Sequence, residues 1–274
     1  MSDELFSDLA REDFAKVRKR EILIKVMNLL HPEKISLLSL DQIRNLLKPK
    51  KEEYRGMQTV PISKIVGSED RYKDFNRMFL PKHNYMKNRW TSIDRAHLRN
   101  FILPPVSLYE IGGVYFVRDG NHRVSVAAVR GVMEIDAEVV SLSTEISLDP
   151  GMTIDNLTRK VIEWEQKIFY TAAGFSAFQN GAEIRFTSPG RFDELAGIIN
   201  ESRVEWEKKH HGRLSFQMAA NRWYHESYIP VTDIITAGEL LRLFPGRTKS
   251  DLYVWIVRHR DLLKKKYGRT VSIR

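Results

Sequence analysis

The chain has no cysteine among its 274 residues. That excludes a disulfide framework, a thiolate metal centre and any cysteine nucleophile. It also lacks an apolar run near the roughly 20 residues that cross a bilayer as a helix, so no membrane span is expected. The opening Met1-Ser2-Asp3-Glu4-Leu5-Phe6 is acidic where a secretory leader would be basic and then apolar. Eight histidines are scattered, and the adjacent His210 and His211 would face different ways on a helix. Acidic residues do not gather at metal-binding spacing either. No metal site is expected, and a nuclease is set behind other readings on the same ground. Internal repeats and low-complexity tracts are missing as well. Together these absences describe a soluble, cytoplasmic protein.

What is present is a long, well-filled chain with one uneven feature. At 274 residues two compact units are expected, and 42% apolar residues suffice for real cores. The net charge is +9. Residues 241–274 hold ten Lys/Arg against Asp251 and Asp261, a local charge of +8, which leaves +1 for the rest of the chain. Arg258, Lys264, Lys265, Lys266 and Arg269 are the candidate nucleic-acid contacts of this stripe. The alternative is a solvated helix face with a frayed tail.

Residues 1–55 read as a helical arm. Phe14, Val17, Val26 and Leu29-Leu30 recur near helical spacing over about 8–30, and His31-Pro32 stops that helix. Ser39 to Gln42 is a capping-box pattern that opens a short helix to Leu47, and Lys48 to Glu53 is a charged linker. The arm could pack on the following domain or pair with a second copy in a homodimer. A strand is expected over 59–66. Tyr72 to Phe101 interleaves aromatics and bases, among them Phe75, Phe79, Tyr85, Arg89 and Trp90, with Thr91 or Ser92 capping a helix through Leu98. Such a stretch either stacks a nucleobase and holds phosphates or simply covers a sheet.

Residues 150–274 read as mostly helical. One helix carries Leu157, Val161, Trp164 and Ile168. Ala182 to Phe186 suggests a short strand, and Ser188-Pro189 a helix start by the cap-plus-proline rule. A helix over Leu214 to Tyr228 should stop before Pro230, and another should run from Thr232 to Leu243. After the turn at Phe244-Pro245-Gly246-Arg247, Thr248 with Asp251 caps the last helix, whose apolar face is Leu252, Trp255, Ile256, His259 and Leu263. In that reading Trp255 anchors the core.

The most informative run is Val114 to Gly131. It reads as an apolar strand, a tight turn at Asp119-Gly120, and a helix that begins with Asn121, His122 and Arg123. Free backbone N–H groups, the positive end of a helix dipole and a guanidinium then meet in one place, which suits an anion, above all a phosphate. Before the turn, Gly112-Gly113 separates two strands over about 105–118, and Glu134 to Val140 alternates like a further strand.

These pieces, from Val60-Pro61-Ile62-Ser63-Lys64 through Asp119-Gly120-Asn121-His122-Arg123 to the strand ending near residue 142, resemble the ParB/sulfiredoxin superfamily. The resemblance implies an α/β (α+β) nucleotide-binding domain over about 56–142, with an N-terminal helical arm and a mostly helical C-terminal module. Members include CTP-switched partitioning clamps, ATP-dependent sulfinic-acid reductases and free-serine kinases. The reductases need a cysteine in this turn, so that activity is excluded. The clamps carry Gly-Glu-Arg-Arg where this chain has Gly120-Asn121-His122-Arg123, and no helix-turn-helix follows residue 142. A Gly-His-His-Arg-like turn of the serine kinases is nearer. The stretch Trp223 to Leu263 resembles the tail of bacterial proteins that join a ParB-like domain to a helical module.

Two function classes follow. In the first, Asp119, Gly120, Asn121, His122 and Arg123 hold a nucleotide (ATP, ADP or CTP, with Mg²⁺ as a further expectation). Glu69 or Asp70 holds the metal or deprotonates a nucleophile, with His122 as a third candidate catalytic group, in an NTP-dependent phosphotransferase or hydrolase. In the second, the chain is a DNA-associated regulator switched by a nucleotide and contacting DNA through the basic C-terminal helix.

Overall fold

Six strands form one mixed sheet in the computed structural model, which describes residues 3–175 and 183–268 and leaves out the side chains of 264, 265 and 267. They are β1 (Leu38–Ser39), β2 (Glu52–Pro61), β3 (Ile65–Ser68), β4 (Val106–Ile111), β5 (Val114–Asp119) and β6 (Glu134–Leu142), in the spatial order β1-β3-β5-β4-β6-β2. The chain divides into two compact units, Met1–Leu157 and Thr158–Arg274, and the sheet lies in the first.

The β4–β5 hairpin turns on Gly112 and Gly113, both at positive φ (60° and 92°), as a two-residue hairpin turn demands. The single strand expected over 59–66 is in fact two. Pro61 has no N–H to continue a ladder, a short 3₁₀ turn follows at Ile62–Lys64, and the chain resumes as β3. The halves join opposite flanks: β2 pairs antiparallel with β6, and β3 pairs parallel with β5. Part of the expected charged linker, Glu52 and Glu53, already belongs to β2. At Gly67 in β3 the backbone passes so close to β1 that a Cβ would sit 2.5 Å from the Leu38 carbonyl and 2.3 Å from the Phe116 ring.

Helices α1 (Asp3–Met27), α2 (Pro32–Ile35), α3 (Leu40–Leu47), α4 (Lys87–Leu98) and α5 (Asn121–Val129) complete this unit. Val124 of α5 joins Val60, Val106, Leu108, Val117, Ala137 and Val139 of the sheet in one core, with Phe75, Phe79 and Met86 from the segment ahead of α4. α1 packs on α4 through Phe14 and Trp90, whose ring centroids lie 5.7 Å apart. Buried Trp90 donates its indole N–H to Ser125 Oγ (2.9 Å), and Ser125 donates in turn to the Phe79 carbonyl (2.6 Å).

Three local expectations for this unit differ from the structure. The buried stripe of α1 is Ala10, Phe14, Val17 and Glu21, while Val26, Leu29 and Leu30 face outward. The reason is length: the helix runs past the end of its contact with α4. α3 begins where expected, with Ser39 as the last residue of β1, but Ser39 makes no capping hydrogen bond. α4 starts at Lys87 and grows out of a 3₁₀ turn at Asn84–Met86, so Thr91 lies inside it and its hydroxyl donates to the Lys87 carbonyl (2.9 Å).

The remaining helices are α6 (Ile154–Ala173), α7 (Arg191–His210), α8 (Phe216–Trp223), α9 (Ile229–Ala237) and α10 (Lys249–Tyr267). Phe169, Phe192, Leu195, Trp223, Tyr228, Tyr253 and Val254 are among the residues of the second core. Ile168 of α6 is exposed, and Phe169 takes the inward place. Ala182 lies outside the described residues, and Glu183 to Phe186 is irregular rather than a strand, with Ile184 and Phe186 buried. α7 starts at Arg191 behind Gly190, whose N–H donates to the Glu165 carboxylate (2.8 Å), so Ser188-Pro189 forms only the bend ahead of it. Pro230 does not stop the helix there. A π turn at Tyr224–Tyr228 leads directly into α9, with Pro230 as its second residue.

Thr248 and Asp251 form the expected reciprocal cap of α10. The Thr248 N–H donates to Asp251 Oδ2 (2.9 Å) and the Asp251 N–H to Thr248 Oγ1 (3.2 Å). The buried face of α10 is Leu252, Tyr253, Val254 and Val257, since α7 and α9 pack on two of its sides. Trp255 therefore does not anchor the core. It is exposed and stacks on His259, with centroids 5.2 Å apart. Among the described residues no helix is long and apolar enough to cross a membrane.

Ser125→Ala should leave the Trp90 indole N–H and the Phe79 carbonyl buried and unpaired. The expected loss is about 1–3 kcal/mol of stability, read as a lower urea midpoint with an unchanged slope.

Candidate anion site at the start of helix α5

Gly120 makes the turn possible. Its φ is 104°, and a Cβ on it would lie 2.6 Å from Val106 Cγ1, so a side chain is refused both by the backbone and by the space. α5 has no side-chain cap. The Val124 N–H returns to the Gly120 carbonyl (3.0 Å), and the N–H groups of Asn121, His122 and Arg123 have no acceptor among the described residues. These are the orphan donors of a helix start.

A cavity of about 360 Å³ opens on them. It is lined by Asp119 to Arg123 together with Arg71, Tyr85, Met86, Arg89 and Ile93. Arg71 reaches it because Ser68 Oγ accepts the Arg71 N–H (3.2 Å) and turns the chain just after β3. Its guanidinium is braced by Asp74 (3.0 Å). Arg89 projects from the exposed side of α4 and makes no hydrogen bond or ion pair among the described residues. The Tyr85 hydroxyl donates to Asp74 Oδ1 (2.5 Å), and its exposed ring stacks on His83 at 5.2 Å.

His122 packs edge-on against Phe75 at 5.4 Å. Burial pushes its pKa down to about 4, helped by the charges of Arg71 and Arg89 and opposed by Asp74. It is therefore a neutral imidazole at pH 7. Its Nδ1 and the Oδ1 of Asn121 are buried with no hydrogen-bond partner among the described residues.

The sequence-derived site residues separate into two groups. Asp119, Gly120, Asn121, His122 and Arg123 come together as one lining. Arg123, though, is largely engaged: Nη1 donates to the carbonyls of Pro104 and Pro105 (both 2.7 Å), and Nη2 binds Asp119. It fastens the approach to β4 onto the first turn of α5. Glu69 and Asp70 do not line the cavity. The Glu69 N–H extends the β3–β5 pairing to the Val117 carbonyl (2.9 Å), its carboxylate faces Arg44 of α3 (3.6 Å), and Asp70 is exposed. Sequence reasoning passed over Arg71 as a site residue. The signal was a serine three residues before it, poised to turn the chain.

The C-terminal stripe is less bare than its charge suggests. Arg258 is paired with Glu194 of α7 (2.8 Å), and Arg260 with Asp261 (3.0 Å). Lys266 lies in the last turn of α10, the side chains of Lys264 and Lys265 are not described, and Arg269 lies outside the described residues.

A depressed histidine pKa has a definite sign. Between about pH 6.5 and 4 the unfolded chain binds a proton at His122 that the folded chain does not. Stability present above pH 6.5 is therefore lost as pH falls toward 4. In a ¹⁵N NMR titration the His122 ring should stay neutral to about pH 4, whereas an ordinary midpoint near 6.5 would show an imidazole open to water.

Comparison with known proteins adds little to this geometry. No protein-family model and no curated protein matches the chain. One solved structure, a Pnob8-like ParB-N domain, aligns over 81% of this chain and 87% of its own at 12% identity, with a TM-score of 0.23.

Proposed function

We propose that this protein binds a nucleotide, with its phosphates on the first turn of α5 and its base toward Tyr85, Met86 and Ile93. One observation carries the reading. Three uncapped N–H groups and the guanidinium of Arg89, none with an acceptor among the described residues, line the same cavity. An anion supplies what each of them lacks. Arg71 adds a second cation, and neutral His122 keeps a polar but uncharged wall. The mixture of cations on one side and an aromatic and aliphatic side on the other suits a phosphate joined to a flat ring better than a bare phosphate.

The reading is of binding. Asp119 is the one carboxylate among the described lining residues, and Arg123 holds it. Mg²⁺, if used, would arrive on the phosphates rather than in a protein cage, since no cluster of three acids or histidines exists among the described residues.

Calorimetry with ATP, ADP and CTP, with and without Mg²⁺, tests this. Arg71→Ala and Arg89→Ala should each weaken binding about ten- to hundred-fold, the worth of one charge-assisted contact of roughly 1.5–3 kcal/mol. Arg123→Ala should lower both affinity and stability, because it also frees the Pro104–Pro105 segment. Binding that all three variants leave intact would place the ligand elsewhere. No binding of any nucleotide, with inorganic phosphate still bound, would reduce the site to an oxyanion pocket.

A further inference from the structure

Seven of the nine residues from Ile22 to Leu30 are apolar, and only Ile24 packs inward. Ile22 is 50% exposed, Leu23 59%, Val26 57%, Met27 75%, Leu29 67% and Leu30 89%. They form two adjoining ridges at i, i+4, i+7 spacing, Ile22-Val26-Leu29 and Leu23-Met27-Leu30, along the end of α1 and the turn after it. A contiguous apolar surface of this kind is rare on a monomer and costs solubility unless something covers it.

We propose that this surface is where two copies of the chain associate, with the ends of their α1 helices packed antiparallel about a two-fold axis close to Val26. Area is the first argument. At about 100 Å² or more per residue the patch exposes roughly 700 Å², and a symmetric pair would bury about twice that, within the range of stable dimers. Charge is the second. The patch itself holds one charge, Lys25, which gives a nucleic acid or an acidic peptide little to grip. It has no Trp, Tyr or Phe to anchor it in a lipid surface. A two-fold axis near Val26 packs the two ridges of one copy against the same ridges of the other, as an isologous contact requires.

The cysteine-free chain makes the test direct. Light scattering behind size exclusion, at tens of micromolar protein without nucleotide, should give twice the 32.0 kDa of one chain. Val26→Glu should halve that mass with an unchanged circular dichroism spectrum, since the side chain touches no core. Val26→Cys should form a disulfide-linked dimer on mild oxidation, and the exposed control Met133→Cys should not. A wild type of one chain mass would overturn the proposal. So would a dimer indifferent to Val26→Glu. Binding of a monomeric wild type to anionic phospholipid vesicles, abolished by Val26→Glu, would also overturn it and assign the patch to a membrane surface. None of these readouts depends on the nucleotide site.

Discussion

The first unit hangs on the side of α4 that carries Trp90 and Asp94. Trp90 is sealed between Phe14 of α1 and Ser125 of α5, and the Ser125 hydroxyl donates a hydrogen bond to the Phe79 carbonyl. One turn further, buried Asp94 takes two hydrogen bonds from Arg130 (2.9 and 2.8 Å), which also reaches Asp13 of α1 (2.7 Å). A carboxylate so deeply buried is driven toward its neutral form by desolvation, and the bidentate guanidinium is what opposes this. These contacts fix where α5 lies and at what height its first turn ends. They also turn the neighbouring side of α4, with Arg89 and Ile93, toward that first turn. The site is thus a by-product of how three helices are clamped.

Its electrostatics are set by restraint as much as by charge. Three guanidiniums approach one small cavity, and each could neutralise the next acid it meets. Asp74 holds Arg71, Asp119 and two proline carbonyls hold Arg123, and Arg89 is left. Burial, helped by the charges of Arg71 and Arg89, keeps His122 from taking a proton until well below its ordinary range.

The hairpin, the Gly120 turn, α5 and β6 were all legible in the sequence, because each is written locally: a Gly pair at positive φ, a Gly that tolerates no Cβ, alternating apolar residues. The cap of α10 by Thr248 and Asp251 was legible for the same reason. What sequence reasoning missed depends on distant chain. Nothing in Val60 to Val66 reveals that its halves pair with strands on opposite flanks. Leu252, Tyr253 and Val254 are all buried because two helices flank α10, and a single-face pattern cannot anticipate that. The acids at Glu69 and Asp70 were drawn toward the turn by their position in sequence, whereas the Ser68–Arg71 hydrogen bond delivers the next residue instead.

The split between β2 and β3 also fixes an order of assembly. The β4–β5 hairpin is closed within 14 residues. β3 joins it once residue 117 is in place. β2, with ten residues, must wait for β6, some 80 positions later in the chain. Closing that loop costs entropy before any ladder bond forms, so the flank containing β2 is the slow half of the sheet. A chain emerging from synthesis carries this strand unpaired until residue 142 has been added. The two acids at its start and the bulge at Tyr54/Gly56 lie in the segment that most needs protection from pairing with the wrong strand during that interval.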